Sequence, residues 1–230
     1  MNQVILNSST AGIVVSLIAF ETGIILKKRW KLAILNPLLI AIALVIFFME
    51  IFKIDYTSYN ESAKYLSYLL TPATVSLAIP MYNQRELLKK NIFPVFCGII
   101  TGVVCSLCSI LILSKAFRLP YKMYVTLLPK SITTAIGMGI SQELGGYVNI
   151  SVAIIIVTGV IGNVAADTVF RLFRIKNPIS RGLAIGVSSH AIGTARAMEM
   201  GEIEGAMSSL AIVAAGLGTV LGAIIFSKIY

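Results

Sequence analysis

The stretch Tyr121–Gly146, YKMYVTLLPKSITTAIGMGISQELGG, decides the fold. Its segment Val125–Ile140 carries one charge, Lys130, directly after Pro129 and before the hydroxyls of Ser131, Thr133 and Thr134. If the stretch crossed a membrane fully, the later connection Arg171–Arg181, RLFRIKNPISR, would land outside, against the preference of Lys and Arg for the cytoplasmic side. If it enters and leaves on one face, the next span reverses and that basic connection returns inside. Re-entrant backbone is tolerated only where protein or water lines it. Pro129, the three hydroxyls, Gly137, Gly139, Gly145 and Gly146 suit such a segment. The basic connection Lys115–Lys122 stays outside on either reading, an exception to the charge rule.

The rest of the chain supplies the membrane. Hydrophobic residues make up 57% and charged residues 13%, with a mean hydropathy of +0.89. Soluble domains have roughly 45–50% apolar and about 25% charged residues. The runs Ile13–Leu26, Leu32–Ile54, Ile92–Leu113, Val148–Val169 and Ala206–Ile229 approach or exceed the roughly 20 residues that cross a bilayer. The expected fold is an all-α polytopic membrane protein, one domain over 1–230. It would have about seven transmembrane helices plus a re-entrant or broken helix, arranged as inverted repeats with halves 1–118 and 119–230.

Charge and motif exclude other classes. The balance of 19 basic and 10 acidic residues, net +9, sits mostly in short connections, so nucleic acid is not an expected partner. Cys97, Cys105 and Cys108 share one apolar run and read as small hydrophobes. A single histidine gives no zinc spacing. No phosphate-cradling loop and no nucleophile–base pair is present, so the chain is not expected to be an enzyme or to need a cofactor. The start, MNQVILNSSTAG, lacks a signal-peptide pattern, and the first apolar run reads as a retained span near 8–26. Lys27–Lys31 then forms an anchor, a third span covers about 65–82 with Pro72 and Pro80, and Asn83–Asn91 returns to the basic side.

An internal echo supports repeats. Shifted by 57 residues (129 − 72 = 57), LLTPATVSLAIPMYNQREL aligns with LPKSITTAIGMGISQEL, Pro72 meeting Pro129 and Glu86-Leu87 meeting Glu143-Leu144. With the re-entrant reading the spans 92–114 and 148–170 point oppositely. Inverted repeats with broken helices near mid-membrane are a recurrent transporter plan.

The candidate site lies in two polar constellations. Lys130 with Ser131, Thr133 and Thr134 beside the Pro129 break would form a pocket for a small anion; the alternative is a lysine snorkelling to the surface. In Gly186–Glu202, GVSSHAIGTARAMEMGE, a continuous helix would place Gly182, Gly186, Gly193 and Ala197 on one narrow face. Ser189 and His190 would flank that face, with Thr194 just beyond and Ser188 beside them. Small residues invite close packing, and the bland account of His190 is a hydrogen bond to a carbonyl. Arg196 would be a second cation for a carboxylate or the partner of Glu199, Glu202 or Glu204. For Asp167 the simpler account is a pair with Arg171. His190 is the candidate for proton coupling, while freed carbonyls would suit sodium.

LLPKSITTAIGMGISQELGG, IVTGVIG at 156–162, NPISRGLAIGVSSHAIGTARAMEMGEIEGAMSSLA and LLTPATVSLAIPMY together resemble the LrgB/CidB family over about 5–230. Ala135 stands where the family commonly has proline, and Asn163 and Asp167 stand where small or apolar residues and proline are expected. The resemblance implies one of two functions. The first is an antiholin-like regulator of murein hydrolase export and lysis, acting with a small LrgA/CidA-type membrane protein. The second, implied by plastid and bacterial relatives, is transport of small monocarboxylates such as pyruvate, glycolate or glycerate. The residues favour transport: Lys130, Ser131, Thr133 and Thr134 would take the carboxylate, and Ser188, Ser189, His190 and Thr194 the oxygen on the second carbon. Pro72, Pro129, Gly137, Gly186 and Gly193 would shape the pocket. The chain is expected in the bacterial plasma membrane as a homo-oligomer.

Overall fold

The computed structural model describes residues 10–30 and 35–230. The described chain is helical and divides into two compact units, Met1–Ser76 and Leu77–Tyr230.

In the first unit, α1 (Ala11–Trp30) and α2 (Pro37–Phe52) pack together, with α3 (Tyr56–Ala63) against α1. Asn36 caps α2, its Oδ1 accepting from the Leu38 amide at 2.8 Å, and Pro37 sits at the first position, where a missing N–H costs nothing. Gly12, in the first turn of α1, donates its amide to Ser62 Oγ at 2.9 Å. Asp55 caps α3, and hydrogen bonds from the Thr57 side chain and backbone hold its carboxyl below the usual range. The expected span at 65–82 is not one continuous helix. A 3-10 turn (Lys64–Leu69), α4 (Leu70–Ser76) and α5 (Ala78–Asn83) stand there, because Pro72 and Pro80 fall where a single helix would need their amides.

In the second unit, α5 and α6 (Arg85–Lys90) lead to α7 (Ile92–Ala116). Then follow α8 (Tyr121–Leu127), α9 (Thr134–Glu143), α10 (Val148–Leu172), α11 (Pro178–Met200) and α12 (Glu202–Ser227). Among the described residues, α7, α10 and α12 are the three helices long and apolar enough to cross a membrane, with α2 a shorter apolar helix; these three do not confirm the expected count of about seven. The core face of α7 recurs at Val95, Ile99, Val103, Leu107 and Ile110, the spacing of a buried helical stripe. It packs on α12, where a Cβ on Gly218 would touch Val103 and one on Gly222 would overlap Leu107.

Tyr121–Tyr147 is a hairpin. α8 enters, the chain turns through Leu128–Thr133, and α9 returns. Lys122 Nζ lies 4.3 Å from the centre of the Tyr147 ring, the Tyr147 amide donates to Thr126 Oγ1 at 2.8 Å, and Ser151 Oγ donates to the Thr126 carbonyl at 2.7 Å. The start and finish of the segment therefore share one end of the unit. Since α7 ends and α10 begins there, those two 25-residue helices run in opposite directions.

Pro178–Met200 departs most from the sequence expectation of a continuous helix. It is interrupted at His190 (φ 43°, ψ −140°). Before the break, Gly182 lies against Glu204 and Gly186 against Ser208 and Ala211, so this arm runs parallel to α12. After it, Thr194 bonds Ser208 at 2.7 Å and Met198 packs on Gly205, so the second arm runs back. The segment is a second hairpin, and its two ends lie beside Arg171–Leu172, at the end of the unit opposite Lys122 and Tyr147. Gly193 is not on a shared face with Gly182 and Gly186; a Cβ there would meet Ser189 and Ile185 of its own first arm. A helical wheel drawn through His190 fails because the break reverses the chain.

Candidate functional site

The turn of the first hairpin places Lys130 and Ser131 beside the middle of α7. Lys130 Nζ donates to Ser131 Oγ at 2.9 Å, and Ser131 Oγ lies 3.1 Å from Ser106 Oγ. Pro129 is fully buried and ends the helix, and a Cβ on Gly137 would overlap Ile155, which lets the returning arm close on α10. An ammonium carries three donors, and Ser131 takes one. No described carboxylate pairs with Lys130.

These groups line a cavity of about 720 Å³ between α7, the first arm of α11 and the hairpin turn. From α7 come Pro94, Cys97, Gly98, Thr101, Gly102, Cys105, Ser106 and Ser109; from α11 come Ser180, Leu183, Ala184, Val187 and Ser188. Along α7 the lining runs from Pro94 to Ser109, about 22 Å at 1.5 Å per residue. It starts in the first turns of α7 and α11, the helices that Arg85, Lys89, Lys90, Arg174 and Lys176 precede in the sequence, and stops about 10 Å short of Ala116. The cavity is a cleft along about two-thirds of α7 that begins at the end richer in Lys and Arg and has Lys130 near its inner limit. Its hydroxyls and one ammonium can hold a single negative charge, and no carboxylate lines it.

The expected site residues separate. Lys130, Ser131 and Ser188 line the cavity, whereas Thr133, Thr134, Ser189, His190, Thr194 and Arg196 do not. Thr133 precedes α9 and makes no capping bond through its side chain, and Thr134 is the first residue of that helix. Ser188 Oγ donates to the Ala184 carbonyl at 2.7 Å and lies 3.0 Å from Ser189 Oγ. Ser189 is buried over Gly162, where any Cβ would overlap its hydroxyl.

His190 is 3% exposed, and its Nε2 lies 3.0 Å from the Ile155 carbonyl. A carbonyl only accepts, so Nε2 carries the proton. The ring packs where a Cβ on Gly159 would come within 2.7 Å of Cε1. Thr194 Oγ1 lies 3.0 Å from the His190 carbonyl, a group the break exposes, and bonds Ser208. These residues pin the turn of the second hairpin to α10 and α12.

Arg196 lies on the returning arm and bridges Asp167 of α10 and Glu199, its Nη1 2.6 Å from the latter. The Arg171–Asp167 charge pair does not form; Arg171 Nε donates to the Asp167 backbone carbonyl at 3.3 Å instead. Asn163 Nδ2 donates to the Ile192 carbonyl at 2.9 Å. The two polar departures of α10 thus hold the second hairpin. Pro72 belongs to α4 in the first unit.

Sequence reasoning missed the α7 wall. Cys97, Thr101, Cys105 and Ser109 recur every fourth residue beside Gly98, Gly102 and Ser106, a small and polar stripe at helical period inside an apolar run. Cys97 and Cys105 are exposed to this cleft and are not merely core filling.

No solved structure matches the chain. The antiholin-like protein LrgB of Bacillus subtilis (strain 168) is 40% identical over 211 residues, covering 91% of each chain. Antiholin-like proteins LrgB of Bacillus cereus (strain B4264) and Bacillus anthracis (strain CDC 684 / NRRL 3495) are each 38% identical over 211 residues, 91% of this chain and 92% of theirs. The sequence profile of the LrgB-like family matches residues 16–229, and the chain is a member of that family.

Proposed function

We propose that this chain is an antiholin-like protein of the bacterial cell membrane, one that restrains murein hydrolase export and lysis together with a small LrgA/CidA-type membrane partner. The observation that carries this reading is the near full-length similarity to proteins of that name. Its test is a deletion strain. Loss of the chain should raise extracellular murein hydrolase activity and hasten autolysis, and re-expression should reverse both. Unchanged lysis and hydrolase activity would overturn the reading.

A second reading rests on the cleft: carriage of a small 2-oxo or 2-hydroxy monocarboxylate, with Lys130 facing the carboxylate and Ser131, Ser106 and Ser188 its other oxygens. The supporting observation is a lysine that has no carboxylate partner among the described residues and sits in a cleft without acidic lining. Purified chain in liposomes should then take up labelled pyruvate or glycolate saturably, and Lys130→Met should abolish uptake while the protein stays folded. Leak of dyes regardless of charge would identify a pore instead. Flux that appears solely with the small partner would move the pathway to a complex. The lytic phenotype would follow from altered organic-acid flux.

A further inference from the structure

At the end of the second unit where Lys122 meets Tyr147, a rigid platform carries cations that neither reading uses. Tyr230 stacks on Tyr124 at 4.3 Å between ring centres, its hydroxyl bonds the Leu119 carbonyl, and Tyr124 donates to the Phe226 carbonyl at 3.0 Å. Lys115 Nζ reaches the Ile229 carbonyl at 3.4 Å. These contacts tie together the end of α7, the start of α8 and the residues after α12.

Lys115, Arg118, Lys122 and Lys228 are exposed around this platform, and none pairs with a described carboxylate. The ion pairs among the described residues use Arg85, Lys89 and Arg196. Within the second unit, Glu143 is the one acidic residue at this end. Helix dipoles account for Lys115 and Lys228 at helix C-termini, but not for Lys122, which lies in the first turn of α8, where a cation is disfavoured. The opposite end already holds Arg85, Lys89, Lys90, Arg171, Arg174, Lys176 and Arg181, so these four also run against the usual one-sided distribution.

The surroundings fix the depth of the anion they await. Phe117 is 74% exposed between Lys115 and Arg118, and Tyr121 and Tyr147 are 47% and 45% exposed beside Lys122. Exposed aromatic rings interleaved with cations at the ends of apolar spans belong at the headgroup level of a bilayer. We propose that this platform binds the phosphates of anionic phospholipids in the leaflet it borders, holding the first hairpin to α7 and α12 through their headgroups. The proposal is independent of either functional reading.

The test uses the full chain in phosphatidylcholine nanodiscs containing a minor fraction of phosphatidylglycerol, with lipid retention counted by native mass spectrometry after transfer to mild detergent. The parent should retain phosphatidylglycerol preferentially, and retention should fall as sodium chloride screens the contact. Arg118→Gln with Lys228→Gln, two side chains with no structural bond, should weaken retention on the order of 30-fold, about fivefold per cation. Unfolding in pure phosphatidylcholine should match the parent. Lys122→Gln alone should show the single-charge loss. Equal retention by parent and variants, no preference for phosphatidylglycerol, or displacement of the lipid by soluble tripolyphosphate at equal phosphate concentration would overturn the proposal.

Discussion

The Lys122 ammonium lies 4.3 Å from the centre of the Tyr147 ring although 25 residues separate them (147 − 122 = 25). A helix of that length would hold its ends nearly 40 Å apart, so the contact makes the intervening segment a hairpin. Single cysteines at Lys122 and Gln142 should therefore label from the same side with a membrane-impermeant maleimide. Labelling from opposite sides would show a full crossing.

The natural cysteines report on the cleft. Cys97 and Cys105 line it and Cys108 does not. A charged maleimide applied at the more basic end should modify the first two quickly and Cys108 slowly, by mass spectrometry of the parent chain. Under the transport reading, pyruvate or glycolate should slow modification of Cys105, and Lys130→Met should remove that protection. Equal rates at all three thiols would argue against the cleft.

The seat of the second hairpin depends on the absence of a side chain at Gly162. Gly162→Ala would push a methyl into the Ser189 hydroxyl and should cost about 1–3 kcal/mol by overpacking. Adding Ser189→Gly removes both overlapping atoms and should restore part of that loss. A purely additive double mutant, read by thermal unfolding in detergent, would mean that the two residues do not share the contact.

Arg196 joins the returning arm to α10. Its side chain is 26% exposed and that of Asp167 40%, so solvent screens the pair and its worth is about 1 kcal/mol. Arg196→Gln should lower stability by that amount, and much less in an Asp167→Asn background. An unchanged effect in that background would place the contribution of Arg196 on Glu199 instead.

Much of the first hairpin could be read in advance, because the later basic connection Arg171–Arg181 opposes a full crossing at Pro129 and Lys130. The second could not. Nothing in SSHAIGTARA announces a break: His190 has no neighbouring proline, and helix periodicity continues past it on both sides. Its left-handed φ, a conformation costing on the order of 1–3 kcal/mol for a side-chain-bearing residue, is held by the Ile155 bond and the space over Gly159, contacts set by tertiary packing. The break also explains the fate of Arg196. Placed on a straight helix it lies deep among apolar residues, whereas on a returning arm it meets Asp167 near the end of α10. Lys130 was legible as a cation without a nearby acidic partner and is half-buried in the structure, but its companions on α7 were hidden by their small size.

The reversal at His190 also bears on how the protein is made. Pro178–Met200 rests against Gly159 and Gly162, which leave the ribosome before it, and against Glu204, Ser208 and Ala211, which leave after it. A segment reaching halfway and turning back gains no resting place in lipid from its own hydrophobicity. It must therefore stay unsettled until the last long helix is synthesised and inserted. Assembly of this half is then a late, concerted event rather than a stepwise threading, and a nascent chain stalled before Glu202 would present that segment to the insertion machinery without its seat.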